Sequence, residues 1–180
     1  MKIISGKYKG RNIEGFTLDG TRPTMDRVKE SLFATIQDYI ENSIILDLFS
    51  GSGNLAIEAL SEGAKYAYAV DKNYKACNTI KKNINTIGID NIEVINLDYK
   101  QALLSFKDNI TFDIIFLDPP YKTDYIKESL VKIENYNLLN NNGIVVCESD
   151  NLEKVVYSNY FNSVKEKKYG DKWVVILKKV

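Results

Sequence analysis

The chain has 180 residues, with 24 Lys+Arg against 24 Asp+Glu and a formal net charge of zero, which fits one modest near-neutral domain and excludes a polyelectrolyte. At 44% hydrophobic and 27% charged, it has the composition of a packed core inside a solvated surface, so a wholly disordered chain is excluded as well. No apolar run approaches the ~20 residues of a membrane helix and no signal-peptide core follows Met1, so a cytoplasmic location is expected.

In chain order, Lys2 to Ile4 and Arg11 to Glu14 are β-prone runs around Ser5-Gly6-Lys7-Tyr8-Lys9-Gly10, which predicts a hairpin whose basic loop projects from the body. Asp19-Gly20 and Arg22-Pro23 mark turns. Thr24 can then cap a helix over 24–40, with Val28, Leu32, Ile36, Tyr39 and Ile40 on one face. From Ser43 onward short apolar runs at 44–46, 66–70, 92–95, 114–117 and 144–147 alternate with helical stretches, the signature of parallel βα units. Ala76, Ile80, Ile84 and Ile87 fall at helical spacing, and Gly88 is the expected stop. Ile126, Leu130 and Ile133 repeat the pattern in 122–137, and the Asn-rich 140–143 reads as a turn before the fifth strand. Beyond Asp150, runs at 160–166 and 173–177 flank Tyr169-Gly170-Asp171, which predicts an antiparallel hairpin closing the sheet. The expected organisation is an N-terminal hairpin and helix over 1–42, packed on an α/β core over 43–180, effectively one compact domain.

The chain contains no histidine, which removes Ser/His and Cys/His nucleophile pairs, imidazole metal ligands and the usual near-neutral general base. No metal is expected. Cys77 and Cys147 lie far apart in apolar contexts and read as reduced, buried thiols. The chemistry must therefore rest on carboxylates or on positioning.

Two segments carry it. Asp47-Leu48-Phe49-Ser50-Gly51-Ser52-Gly53 stands where the first parallel strand hands over to a helix, so its glycines permit a tight turn and close approach of a ligand to backbone. Gly51, Gly53 and Ala56 satisfy a nicotinamide fingerprint. Asp47, however, would repel a pyrophosphate and attract the cationic amino-acid end of S-adenosylmethionine. Asp71, after the second strand, can accept both hydroxyls of a ribose from either ligand. Asp98, after the third, can accept an adenine amino proton. Each acid alone could be a helix cap or a solvated strand end; three on successive strands line the edge where open α/β sheets bind ligands. The second segment, Asp118-Pro119-Pro120-Tyr121, follows the fourth strand. Its prolines stiffen the loop and remove two backbone donors, leaving acceptors. Methylation of an exocyclic base amine needs such acceptors. The Asp118 carboxylate and Pro119 carbonyl can hold the nitrogen with its lone pair aimed at a sulfonium methyl, while Tyr121 stacks on the extruded base. The first and fourth strands are expected to be neighbours at the switch point, so both loops would share one crevice.

Through these motifs the chain resembles the class I S-adenosylmethionine-dependent methyltransferases. Ile3-Ile4-Ser5-Gly6-Lys7-Tyr8-Lys9-Gly10-Arg11 and residues 21–33, Thr21-Arg22-Pro23-Thr24-Met25-Asp26-Arg27 onward, resemble the RsmD family, which methylates guanine N2 in small-subunit (16S) ribosomal RNA. The resemblance implies a Rossmann-like, mostly parallel seven-stranded sheet with an antiparallel C-terminal strand and helices on both faces. It assigns Asp47, Gly51 and Gly53 to the donor's amino-acid end, Asp71 to its ribose and Asp98 to its adenine. Phe49, Ser52, Lys72 and Tyr99 complete the expected donor site, and Asp118, Pro119, Pro120 and Tyr121 the base clamp. The Asp-Pro-Pro-Tyr sequence is shared with adenine-N6 enzymes, so the choice of guanine rests on the N-terminal segments.

A pI near 6.4 leaves room for a local phosphate-binding patch. All three arginines, Arg11, Arg22 and Arg27, lie in the first 27 residues, and Lys2, Lys7, Lys9 and Arg11 precede the first acid, Glu14. The expected RNA contacts are Lys7, Tyr8, Lys9, Arg11, Arg22 and Arg27. Lys165, Lys167 and Lys168 form a second candidate RNA patch, read in preference as protection of an edge strand against pairing. The expected partner is ribosomal RNA, in a small-subunit assembly intermediate, met by a monomer. The competing readings are an adenine-N6 methyltransferase, a nicotinamide oxidoreductase and a non-catalytic RNA-binding relic.

Overall fold

The computed structural model describes residues 1–16 and 26–180. Arg22, the turns at 19–23 and the Thr24 cap lie outside the described residues. The described part of the first helix, α1 (Asp26–Ile40), buries Val28, Leu32, Phe33, Ile36 and Ile40; Tyr39, expected on that face, is only partly covered and packs at its margin.

Seven strands follow: β1 (Ile44–Asp47), β2 (Tyr66–Val70), β3 (Ile92–Ile95), β4 (Phe112–Leu117), β5 (Leu139–Ser149), β6 (Phe161–Tyr169) and β7 (Lys172–Lys179). They form one sheet in the order β3-β2-β1-β4-β5-β7-β6. β1 pairs in parallel with both β2 and β4, which makes it the switch point where successive crossovers change direction. β7 runs antiparallel to β5 and β6 between which it is inserted.

The apolar runs of the central strands are buried on both faces, as parallel sheets require. Ile45, Ala69, Phe116, Val146 and Ile176 pack with α1, α2 (Asn54–Ser61) and α3 (Tyr74–Ile87). Their neighbours Leu46, Val70, Leu117, Cys147 and Leu177 pack with α4 (Tyr99–Phe106) and α5 (Tyr125–Asn135) on the other side. The period of two along each strand thus sorts side chains between two helical layers. Cys77 and Cys147 are free and buried. Gly88 ends α3 at φ 87°, donating its N–H to Ile84 O at 2.8 Å, as the sequence predicts.

Two expectations are corrected. The Asn-rich 140–143 segment belongs to β5 and forms a bulge, because pairing passes from Phe112↔Leu139 directly to Ile114↔Ile144. Asp113 fixes it, accepting from Asn140 Nδ2 at 3.0 Å and from the β1 amide of Ile44 at 2.8 Å; a Cβ at Gly143 would lie 2.8 Å from Asn140 O. The N-terminal hairpin, for its part, does not project. It has a single bridge, Lys2↔Asn12, and buries Ile3 and Ile13 in the core. Its loop lies on the C-terminal end of α2, where Lys7 N–H donates to Ser61 O at 2.8 Å and a Cβ on Gly6 would sit 1.9 Å from that oxygen. Two isoleucines and unpaired backbone donors outweigh the basic loop in deciding where the segment goes.

Candidate active site

Parallel strands open onto one edge, and an acid stands at or shortly past the end of each of the first five. Asp47 ends β1, Asp71 follows β2, Asp98 stands between β3 and α4, Asp118 follows β4 and Glu148 is the last residue but one of β5. Of these, Asp47, Asp71, Asp98 and Asp118 line one cleft of about 200 Å³.

The glycine bend forms its floor. Gly51 and Gly53 adopt φ 57° and 84°, values that favour glycine. Gly51 lines the cleft. Gly53 does not: it faces the core, where a Cβ would meet Ile80 Cγ2 at 3.1 Å, so its role is to shape the turn into α2. Asp71 braces the bend, its two oxygens accepting from Gly51 N–H at 2.9 Å and Asn73 N–H at 2.8 Å. Each oxygen keeps a lone pair for a hydroxyl. Burial raises the Asp71 pKa against the pull of these bonds. Asp98 caps α4 by accepting from Lys100 N–H at 2.9 Å, which uses one oxygen and leaves the other for a ligand.

Asp47 is the most confined of the acids. It is 1% exposed; Oδ2 accepts from Ser50 Oγ at 3.0 Å, and Oδ1 is buried with no hydrogen-bond partner among the described residues. Burial pushes its pKa up to about 7, with the Ser50 bond working against it. A buried carboxylate at the cleft with one oxygen short of a full hydrogen bond, eased only by Ser50 and the Ala56 backbone at the start of α2, fits a ligand carrying a cation and disfavours a pyrophosphate.

Ser52 and Lys72 also line the cleft, and Phe49, Tyr99 and Tyr125 form an aromatic wall, with ring centroids 5.3 Å apart for Phe49–Tyr99 and 4.6 Å for Tyr99–Tyr125. The Tyr99 hydroxyl bonds to Glu128. Opposite the bend stands the Asp118-Pro119-Pro120-Tyr121 loop, brought there by the β1–β4 pairing that sets Asp47 beside Phe116. Both predicted segments therefore face the same space. Burial, with Glu148 and Asp47 nearby, raises the Asp118 pKa well above its usual value.

The basic hairpin is not at the cleft. α2 starts at the glycine bend, whereas Lys7 contacts the other end of it and Arg11 donates to Thr86 O at 2.9 Å, near the end of α3. Eight residues of α2 put roughly 12 Å between the two levels. Lys7, Lys9 and Arg11 are exposed, Tyr8 is half-buried, and Arg27 is exposed in the first turn of α1.

Several site residues escape a linear reading. Tyr125, Met1 and Phe16 line the cleft, and nothing in their sequence context marks them. Glu148 and Lys172 flank Asp118: Lys172 Nζ lies 2.6 Å from Glu148 Oε2 and 3.9 Å from Asp118 Oδ1. Glu148 was findable, since it is a fifth acid at a strand's carboxyl end.

This strand order, with one reversed strand and the two loops at its switch point, defines a Rossmann-like class I methyltransferase. The model of the family described as Conserved hypothetical protein 95 matches residues 1–178. The Bacillus subtilis protein named "Putative rRNA methyltransferase YlbH" is 42% identical over 152 residues, 83% of each chain. The Ribosomal RNA small subunit methyltransferase D of Haemophilus influenzae is 33% identical over 172 residues, 94% of this chain and 89% of that one. Among solved structures, the Escherichia coli "Putative methyltransferase yhhF" superposes with a TM-score of 0.89 at 28% identity, covering 99% of this chain and 97% of the other. The chain belongs to this RsmD-type family.

Proposed function

We propose that the protein transfers a methyl group from S-adenosylmethionine to the exocyclic N2 amine of a guanine in small-subunit ribosomal RNA. One observation carries the reading: the acid-tipped glycine bend and the Asp118–Tyr121 loop open into a single cleft. The names of the relatives support ribosomal RNA as the substrate class.

S-adenosylmethionine supplies an electrophilic methyl group. Asp47 holds the cationic amino-acid end, Asp71 the ribose hydroxyls and Asp98 the adenine amine, beside the Phe49–Tyr99 wall. Asp118 and the Pro119 carbonyl accept hydrogen bonds from the guanine amine, whose lone pair is otherwise delocalised into the ring, and Tyr121 stacks on the base. A nitrogen–carbon bond forms as the carbon–sulfur bond breaks, its electron pair leaving with sulfur, and the amine proton passes to the Asp118 carboxylate. The protein meets the RNA as a monomer in the cytoplasm, on an assembling small-subunit particle.

Tritium transfer to small-subunit particles and to naked RNA, followed by mass spectrometry of the nucleosides, tests this reading. N2-methylguanosine is expected, preferentially from particles; N6-methyladenosine would overturn the base assignment. Asp118→Ala should lower turnover on the order of a hundredfold while S-adenosylhomocysteine affinity is preserved.

A further inference from the structure

We propose that Lys172 and Glu148 are positioning residues for Asp118: Lys172 favours its carboxylate form from beyond hydrogen-bond reach, while Glu148 holds that ammonium in place and opposes the same ionisation, so that the pair sets the proton equilibrium of the acid. The inference rests on the methyl-transfer reading above.

The geometry separates two effects of one cation. At 2.6 Å, Lys172 Nζ makes a charge-assisted hydrogen bond to Glu148 Oε2. At 3.9 Å from Asp118 Oδ1 it is beyond hydrogen-bond reach but well within Coulombic range. Lys172 therefore stabilises negative charge on Asp118 without occupying an acceptor that the amine needs. Glu148 holds it back: this residue is 1% exposed, its Oε1 has no hydrogen-bond partner among the described residues, and it reaches the ammonium from the neighbouring antiparallel strand. A buried carboxylate with an open oxygen is costly for folding alone, which points to a role in the site.

The charged groups facing Asp118 are Asp47 from β1, Glu148 from β5 and Lys172 from β7, with the Tyr121 hydroxyl in its own loop and Asp150 beside that tyrosine. Burial works against the Lys172 ammonium, but Asp118 and Glu148 outweigh it and raise its pKa, so it stays charged throughout the working range. Glu148 and Asp47 oppose ionisation of Asp118; Lys172 favours it. The two members of the pair thus pull the same proton equilibrium in opposite directions.

Opposite shifts test this. Turnover by the full-length protein on small-subunit RNA is measured from pH 5.5 to 9.5. In Lys172→Met the acid limb should move up by about one pH unit or more, a loss of about tenfold at pH 6 that recovers in alkali. In Glu148→Gln it should move down, while Lys172→Arg should keep the limb of the unaltered protein. The carbon-13 carboxyl resonance of Asp118, followed in the S-adenosylhomocysteine complex, should titrate higher in the first variant and lower in the second, whether or not RNA is methylated. An unaltered protein that fails to methylate RNA would refute the function, and the carboxyl titration would still decide the role of the pair. Titrations that coincide in all variants, with folded spectra and unchanged S-adenosylhomocysteine affinity, overturn the inference. If Lys172→Met does not fold, Glu148→Gln and Lys172→Arg decide it by the same measurements.

Discussion

A carboxylate with one oxygen buried and unpaired, as in Asp47, leaves free energy for a cationic ligand to recover. Its pKa near 7 gives two consequences of defined sign. Between the unfolded value of about 4 and the folded value, the native state binds the extra proton, so stability of the ligand-free protein falls as pH rises through that window and levels off above it. Asp47→Asn should therefore stabilise the ligand-free protein at pH 8, by up to about 4 kcal/mol, and leave its stability little changed at pH 4, as read from urea denaturation at the two pH values. Donor binding runs the other way. On the proposed assignment of Asp47 to the donor's ammonium, binding requires the ionised acid, so S-adenosylhomocysteine affinity should fall about tenfold per pH unit below 7 and plateau above. Calorimetry from pH 5.5 to 8.5 checks this; a flat profile would detach Asp47 from the ligand. Asp47, Asp71 and Asp118 were legible in sequence because each closes an apolar run, and Asp98 because it follows one within three residues. Lys172 was not, because it approaches Asp118 only when β7 is inserted between β5 and β6, which puts Ser149 opposite Trp173.

The strands of the central sheet were legible because burial on both faces writes continuous apolar runs into the sequence. The docking of the hairpin is not legible in sequence for a physical reason: a local pattern gives its turn but not the surface on which it lies. Glu58 is that surface, accepting from Ile4 N–H at 2.8 Å and Ser5 N–H at 3.2 Å. Its placement divides the basic residues between two ends of the molecule. α1 and β6 touch through Ser31 Oγ and Tyr169 OH, 2.6 Å apart, and Tyr169 is paired with Lys172, the residue beside Asp118; exposed Lys167 and Lys168 precede that point on β6, and exposed Arg27 lies one turn before Ser31 on α1. Triple alanine substitution of Arg27, Lys167 and Lys168 should weaken RNA binding and turnover together. The same change at Lys7, Lys9 and Arg11 should lower RNA affinity with donor binding intact, as for a grip remote from the target base. Filter binding at two salt concentrations distinguishes them; RNA affinity unchanged by the second set removes the hairpin from RNA recognition.

Across the whole molecule, the N-terminal segment and α2 of the core are joined by a buried ion pair. Lys29 and Glu58 are 0% exposed and 2.9 Å apart. Lys29 Nζ also donates to Lys2 O at 2.7 Å and to Asn54 Oδ1 at 2.8 Å, so its three protons are all used. Helical periodicity gives no hint of this, since a lysine between Val28 and Leu32 reads as a solvated neighbour of the apolar face. The pair binds together the hairpin, α1 and the first turn of α2, directly behind the glycine bend, and Met1 and Phe16 of the same segment line the donor cleft. We therefore expect residues 1–42 and 43–180 to unfold as one unit, with the pair as their coupling. Lys29→Met strands the Glu58 charge in the core and should cost about 3 to 5 kcal/mol, read from urea denaturation. It should also lower hydrogen-exchange protection of the Ile4 and Ser5 amides and weaken S-adenosylhomocysteine binding several-fold. Replacing both members, as Lys29→Met with Glu58→Leu, should recover part of the stability because no charge is left unpaired. It should not restore protection at Ile4 and Ser5, whose acceptor has gone. Protection at those two amides that stays at the global value in both variants would show that the segment is held by Ile3 and Ile13 alone, and that the ion pair does not transmit the state of the hairpin to the cleft.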